Sequence, residues 1–283
     1  MVIFKRINDL QSYLNVQKAA GKTIGFVPTM GALHKGHLAL INRCCQLSDF
    51  SVCSIFVNPT QFNDPSDFNK YPVTIENDIF LLEKQGCNVL FLPSVNEMYP
   101  DGVVLKKQYE LGDIENLLEG KFRPGHFQGV CQVVNRLLDI VQPDKFFLGQ
   151  KDYQQCMVVK KMIELVGMEN LKLVIVETVR ESSGLAFSSR NTRLSEQERN
   201  KAIILSEVLQ NIKGNISFQS LPFLQEQAVQ QLYDNGFEKI DYVEIANAHT
   251  LQPVLEWDGK EKLVGLIAAY LHGVRLIDNM ILN

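Results

Sequence analysis

The sequence predicts an α/β fold: a doubly wound parallel sheet followed by a smaller α+β unit. Two observations carry the prediction. Short apolar runs alternate with helix-period segments through Val176, and polar residues cluster just past the ends of several of those runs. Beyond Ser195 the pattern changes to helices followed by about three strands. The 283 residues suffice for a large core in one large domain or two unequal ones.

Each element has a local reason. Residues 4–20 read as a polar-faced helix marked by Leu10, Leu14 and Val16. Residues 23–27 form an apolar strand, and Leu38, Ile41 and Cys45 set a helix after it. Residues 51–57 are a strand that Pro59 stops. Ile75, Ile79 and Leu82 mark a helix over 74–85, with Gly86 as its stop, and residues 88–93 are a third strand. Residues 119–130 read as a turn-rich loop leading into a helix marked by Val130, Val133, Val134, Leu137, Leu138 and Val141. Strands at 145–148 and 173–176 flank a helix over 153–166. Ser195 and Glu198 form a capping box for a helix over 197–213. A helix over 219–235 and strands at 241–245, 262–270 and 274–278 make the second unit, with the boundary between Val176 and Ser195.

Composition excludes several classes. A formal charge of -4 gives no basis for a nucleic-acid surface, and no apolar run reaches membrane-spanning length. The N-terminus lacks the apolar stretch of a secretory signal. The six cysteines include no CxxC spacing and sit mostly in apolar contexts, as reduced core residues of a cytoplasmic enzyme do.

The stretch with the most chemistry runs from Pro28 to Leu38. Gly31 and Gly36 permit a tight strand-to-helix turn, and His34 and His37 sit where the helix begins. A helix start offers unpaired N–H groups and a positive dipole end, so imidazoles there suit phosphate oxygens. A single histidine at a helix start is most often a cap or a solvated residue; two of the chain's five histidines in one glycine-flanked turn favour function. A metal site is the other alternative, and the pair lacks an adjacent third ligand. Asn58 and Gln61 follow one strand end, and Gly149, Gln150, Lys151, Asp152, Gln154 and Gln155 follow another. In open parallel sheets that edge binds ligands. Lys151 opposes the dipole of the helix it precedes, a conflict that a bound anion removes. Arg123 and His126 serve a site or simply solvate their loop. Residues 178–191, rich in Ser, Gly and Arg, suit either a plain linker or a mobile lid over polyphosphate.

The His-x-Gly-His pattern after a first strand resembles the nucleotidyltransferase superfamily that includes class I aminoacyl-tRNA synthetases. PTMGALHKGHLALI, FVNPTQF, YPVT, LEGKFRPGHFQGV, LGQKDYQQ and GLAFSSRN together, in order along essentially the whole chain, resemble the pantothenate synthetase (pantoate–β-alanine ligase) family. The resemblance implies a Rossmann-like catalytic domain over 1–180, a C-terminal lid domain over 181–283, and a homodimer. It implies ATP and Mg²⁺ as requirements, pantoate and β-alanine as substrates, and a pantoyl-adenylate intermediate, with AMP and pyrophosphate released. His34, His37, Lys151 and Arg190 then act in catalysis. Met30, Gln61 and Gln155 line the pantoate pocket. Pro28, Thr29, Met30, Gly36, His37, Gly149, Lys151, Asp152, Val179, Phe187, Ser188, Ser189 and Arg190 bind ATP, and Asp78 is the candidate metal ligand. Ser183, Phe187, Glu177 and Val73 depart from the family's usual residues at their positions. The competing classes are a nucleotidyltransferase with a stable dinucleotide product and a non-catalytic binding protein. The glutamine pair and the lid motif favour the ligase.

Overall fold

A computed structural model describes residues 1–62, 68, 70–104 and 107–283. They fall into two compact units. The first holds Met1–Asn116, Arg123–Gly149 and Gln155–Glu177, and the second holds Leu117–Phe122, Gln150–Gln154 and Thr178–Asn283.

In the first unit six strands form one sheet: β1 (Val2–Phe4), β2 (Ile24–Thr29), β3 (Phe50–Ile55), β4 (Val89–Phe91), β5 (Lys145–Gly149) and β6 (Lys172–Val176). All pairings are parallel and the order is β1-β4-β3-β2-β5-β6. The chain builds outward from β2 on one side and returns to β5 on the other. The gap between the ends of β2 and β5 is therefore the switch point where open α/β sheets take ligands.

The two-residue period of the strands separates two cores. Ile24, Phe26, Val52, Phe91 and Phe146 pack with Leu10, Leu14, Phe127, Val130 and Leu138 on one face. Val27, Cys53, Leu90 and Phe147 pack with Leu40, Ile41, Cys44 and Leu82 on the other. Both faces are covered, which is why these strands read as apolar runs rather than alternating ones. None of the six cysteines forms a disulfide, and all but Cys45 are buried. Burial pushes the Cys44 and Cys131 thiols up to about 12 and Cys87 to about 11, so these thiols are unreactive at neutral pH.

The structure corrects several element boundaries. Phe4, expected to open the first helix, instead ends the edge strand β1, and the helix is Ile7–Ala19. A three-residue strand is too short to show a period. The expected loop at 119–130 holds a helical turn, Leu118–Phe122, and the following helix starts at His126. Gly129 of that helix lies against the Pro59–Gln61 turn: a Cβ there would meet the Thr60 carbonyl oxygen at 2.2 Å, so only glycine fits. The expected helix over 197–213 is two helices, Glu196–Ala202 and Ile204–Asn215. Its capping box forms as expected, with Ser195 N donating to Glu198 Oε2 at 2.6 Å and Glu198 N to Ser195 Oγ at 3.3 Å.

In the second unit β7 (Lys239–Asn247), β8 (Leu263–Leu271) and β9 (Val274–Ile281) form an antiparallel sheet in that order. Leu205, Val208, Leu209, Leu224, Ala228 and Leu232 of the helices Ile204–Asn215 and Leu221–Asp234 pack on Ile245, Ile267 and Leu276 of the sheet. The Leu117–Phe122 segment is tied to this sheet by buried charges. Arg275 donates from Nη1 and Nη2 to the two Glu119 oxygens at 2.9 and 2.7 Å and from Nε to Asp241 at 2.8 Å. Tyr242 Oη donates to Glu119 Oε1 at 2.7 Å, and burial together with that carboxylate pushes its phenol well up. Gln154 completes the tie, accepting from Glu119 N and donating to Leu117 O, both at 2.9 Å.

Candidate active site

The turn after β2 is built around two residues with positive φ, Gly31 at 82° and Ala32 at 49°. Two consecutive left-handed residues turn successive N–H groups toward one point and form an anion-binding concavity. The anion is internal. Ala32 N donates to Asp78 Oδ2 at 2.9 Å and Leu33 N to Asp78 Oδ1 at 2.8 Å, and Thr74 Oγ1 donates to Oδ1 at 3.1 Å. Asp78 is fully buried. Both oxygens of this expected metal ligand are engaged by the turn and by Thr74. Among the described residues no group of three or more His, Cys, Asp or Glu side chains could hold a metal.

Past this turn the helix Lys35–Leu47 begins, and the two histidines cap it reciprocally. Gly36 N donates to His34 Nδ1 at 3.2 Å, and His34 N donates to His37 Nδ1 at 3.4 Å. The rings stack with centroids 4.0 Å apart at 28°. A capping box normally pairs Ser or Thr with Glu or Gln; here imidazoles take both positions. An Nδ1 that accepts a hydrogen bond carries no proton. With Nδ1 accepting in the cap, Nε2 is the nitrogen that carries the proton in each neutral ring.

Gln61 lies in the turn Pro59–Gln61 after β3. Its Nε2 donates to Met30 Sδ at 2.9 Å, so two expected pantoate-pocket residues are in direct contact. Three groups fix this turn. The buried Asn58 amide donates to Thr60 Oγ1 at 2.8 Å, to Gln61 Oε1 at 3.4 Å and to Gly129 O at 3.4 Å, while Tyr99 Oη donates to Asn58 Oδ1 at 2.9 Å. His126 Nδ1 donates to the Gln61 carbonyl at 2.7 Å, and Arg123 Nη2 reaches the same oxygen at 3.3 Å. His126 and Arg123 therefore do more than solvate a loop. Gln155 is half-buried on the first turn of the helix Tyr153–Leu165, just past β5. No hydrogen bond among the described residues joins it to the Met30–Gln61 pair. Pro28 and Thr29 end β2, and Gly149 ends β5.

The other expected nucleotide residues belong to the second unit. Lys151 and Asp152 lie in the one-turn helix Gln150–Asp152. Val179 and Phe187 face each other across a short hairpin, where Phe187 N donates to Val179 O at 3.1 Å. Arg180 and Ala186 form an antiparallel bridge, and Ser183 is exposed in the hairpin's turn. Ser188 caps the following turn, Ser189–Arg193, by accepting from Arg190 N at 3.3 Å. The segment at 178–191 thus holds a hairpin and a capped turn.

Tyr99 is not singled out by the sequence, and the contacts that Asn58 and Asp78 make are not marked there either. Asn58 reads locally as turn chemistry, which it performs, and nothing local marks its contact with Tyr99. Only Thr74, four residues before Asp78 on the same helix start, hints at a polar cluster there.

Comparisons with known proteins agree over the whole chain. A family model described as Pantoate-beta-alanine ligase matches residues 2–281. A protein of Phocaeicola vulgatus named pantothenate synthetase is 41% identical over 288 residues, covering 99% of each chain. The crystal structure of pantothenate synthetase from Thermus thermophilus superposes with a TM-score of 0.92 at 39% identity, covering 100% of this chain and 99% of that one. A pantoate-beta-alanine ligase from Francisella tularensis, complexed with beta-gamma ATP and beta-alanine, superposes with a TM-score of 0.83 at 37% identity over 99% and 97% of the two chains.

Proposed function

The chain belongs to the pantoate–β-alanine ligase family, and from that membership we propose that it joins pantoate to β-alanine, with ATP cleaved to AMP and pyrophosphate. The observation that carries the reading is the interlocked His34–His37 cap. It presents two imidazole donors of fixed tautomer at a helix start beside the switch point of the sheet. The ligand-bound Francisella relative supports ATP and β-alanine as ligands of this fold.

A carboxylate does not acylate an amine at neutral pH, so it must first be activated. The pantoate carboxylate attacks the α-phosphorus of ATP, pyrophosphate leaves, and an acyl adenylate remains. The neutral amine of β-alanine then attacks the acyl carbon and expels AMP. Charge grows on phosphoryl oxygens in the first step. Fixed donors serve it best: His34 and His37 through Nε2, the N–H groups of the helix start, Lys151 and Arg190. Met30, Gln61 and Gln155 are assigned to pantoate, with amides on its carboxylate or hydroxyls. Asp152 is assigned to the ribose, and Ser188, Ser189 and Arg190 to the phosphates. No nucleophilic side chain is required.

Further parts of the reading rest on the family alone. These are a homodimer in the cytoplasm and a lid role for the C-terminal domain over 181–283. No described helix is long and apolar enough to cross a membrane. Mg²⁺, where it is needed, is proposed to arrive on the phosphates of ATP, since the described side chains offer no cluster to hold it.

The deciding experiment is exchange of labelled pyrophosphate into ATP. Label is expected to enter ATP with pantoate present and β-alanine absent. Strict dependence on β-alanine would sink the two-step route. A dinucleotide product in place of an amide would assign the chain to the nucleotidyltransferase class.

A further inference from the structure

Two adjacent residues on β9, Asp278 and Asn279, are both almost fully buried, at 3% exposure each, and both are polar. A buried polar pair in a small sheet costs stability unless every group is satisfied, and here the side chains are well partnered. The Asn279 amide donates to the Lys151 carbonyl at 2.7 Å and to the Gln150 carbonyl at 3.0 Å. Both amide hydrogens are therefore spent on one side of the Gln150–Asp152 turn.

The Asn279 backbone is fixed on both sides by one ion pair. Asn279 N donates to Asp278 Oδ1 at 2.8 Å, and Arg180 Nη2 donates to Asn279 O at 3.2 Å. Arg180 and Asp278 are joined by two parallel bonds, Nη1 to Oδ2 at 2.6 Å and Nη2 to Oδ1 at 2.9 Å. This fork geometry holds a guanidinium against a carboxylate in one orientation. The same Arg180 Nη1 donates to the Gly184 carbonyl at 3.1 Å, inside the hairpin that precedes Ser188. The Lys151 turn and the hairpin before Arg190 therefore hang from one anchor, although they are far apart in the chain.

A three-residue helical turn has almost no internal hydrogen bonding to define it. What orients Lys151 is the hold on its own carbonyl and on that of Gln150. We propose that Asn279 is a positioning residue for the nucleotide: by holding these two carbonyls it sets the backbone from which Lys151 reaches a phosphate. The inference rests on the reading of Lys151 as a phosphate ligand. It adds a residue 128 positions from Lys151 in the chain.

The test is a double-mutant cycle on pyrophosphate exchange, with Asn279→Ala, Lys151→Ala and the double variant. Asn279→Ala is expected to raise the KM for ATP roughly tenfold, as for a lost hydrogen bond to a preorganised group, with the KM for pantoate within about twofold of wild type. In the Lys151→Ala background the further rise is expected to stay under about twofold, because the residue being positioned is gone. Asn279→Asp keeps the side-chain shape but offers no donor, and should match the Ala variant or exceed it. It is the second variant if Asn279→Ala fails to fold. Melting temperatures are recorded for every variant, since a purely structural role lowers stability equally with Lys151 present or absent. If Asn279→Ala leaves the KM for ATP unchanged, or its effect persists in full without Lys151, Asn279 is not a positioning residue. If Lys151→Ala itself leaves the KM for ATP unchanged, the phosphate reading of Lys151 fails first, and the positioning inference fails with it.

Discussion

Replacing His34 with Asn is expected to lower pantoate-dependent pyrophosphate exchange by about 10²–10³-fold while leaving the fold nearly as stable as wild type. The two effects separate because His34 does two jobs. Its Nδ1 caps the helix Lys35–Leu47 by accepting from Gly36 N. Its Nε2 is the proposed donor to phosphate. Asn is among the best N-cap residues, so it restores the cap but not the donor. His34→Ala loses both and should cost about 1 kcal/mol of stability in addition to the rate. The same logic applies to His37, whose Nδ1 accepts from His34 N at 3.4 Å. A Gln at that third position can reach back as in an ordinary capping box, so His37→Gln should keep stability and lose exchange. If His34→Asn keeps most of the exchange rate, the imidazoles are caps only and the adenylation chemistry lies elsewhere.

Asp78→Asn is expected to cost about 1–3 kcal/mol of stability and at least about tenfold in exchange. A carboxylate gives two acceptor oxygens to the N–H groups of Ala32 and Leu33. An amide gives one acceptor and one NH₂, so one of the two N–H groups would face a donor. A buried donor left unsatisfied costs its full desolvation. The turn that carries His34 then relaxes, and the rings lose the placement proposed for phosphate binding. The alternative role predicts a different signature. If Asp78 held a metal, its loss would raise the Mg²⁺ concentration needed for half-maximal exchange. We expect that concentration to be unchanged and the loss to persist at saturating Mg²⁺. Denaturant midpoints and a Mg²⁺ titration on the same preparations decide between the two.

Much of the first unit was legible from its strands. Runs such as 23–27 and 51–57 are apolar throughout because both sheet faces are covered, and the helices between them keep a helical period. The histidine turn was legible too, since two glycines and two histidines mark a tight path into a helix. Boundaries were less so. β1 spans three residues, fewer than a period needs, and the split near Ile203 lies inside a continuous helical pattern.

Local rules were enough to set the class of sheet, the strand ends where polar residues cluster, and the helix start that bears the two histidines. Those rules act over about four residues: apolar periodicity, capping, and the breaking of elements by Gly and Pro. Packing of the whole chain assigned each polar side chain its task. Asp78 answers N–H groups 45 and 46 positions earlier, and Asn279 answers a carbonyl 128 positions earlier. Nothing within four residues of either specifies these distant partners. A buried polar group must find a partner wherever the fold brings one, and which backbone groups arrive there is settled only when distant elements pack together.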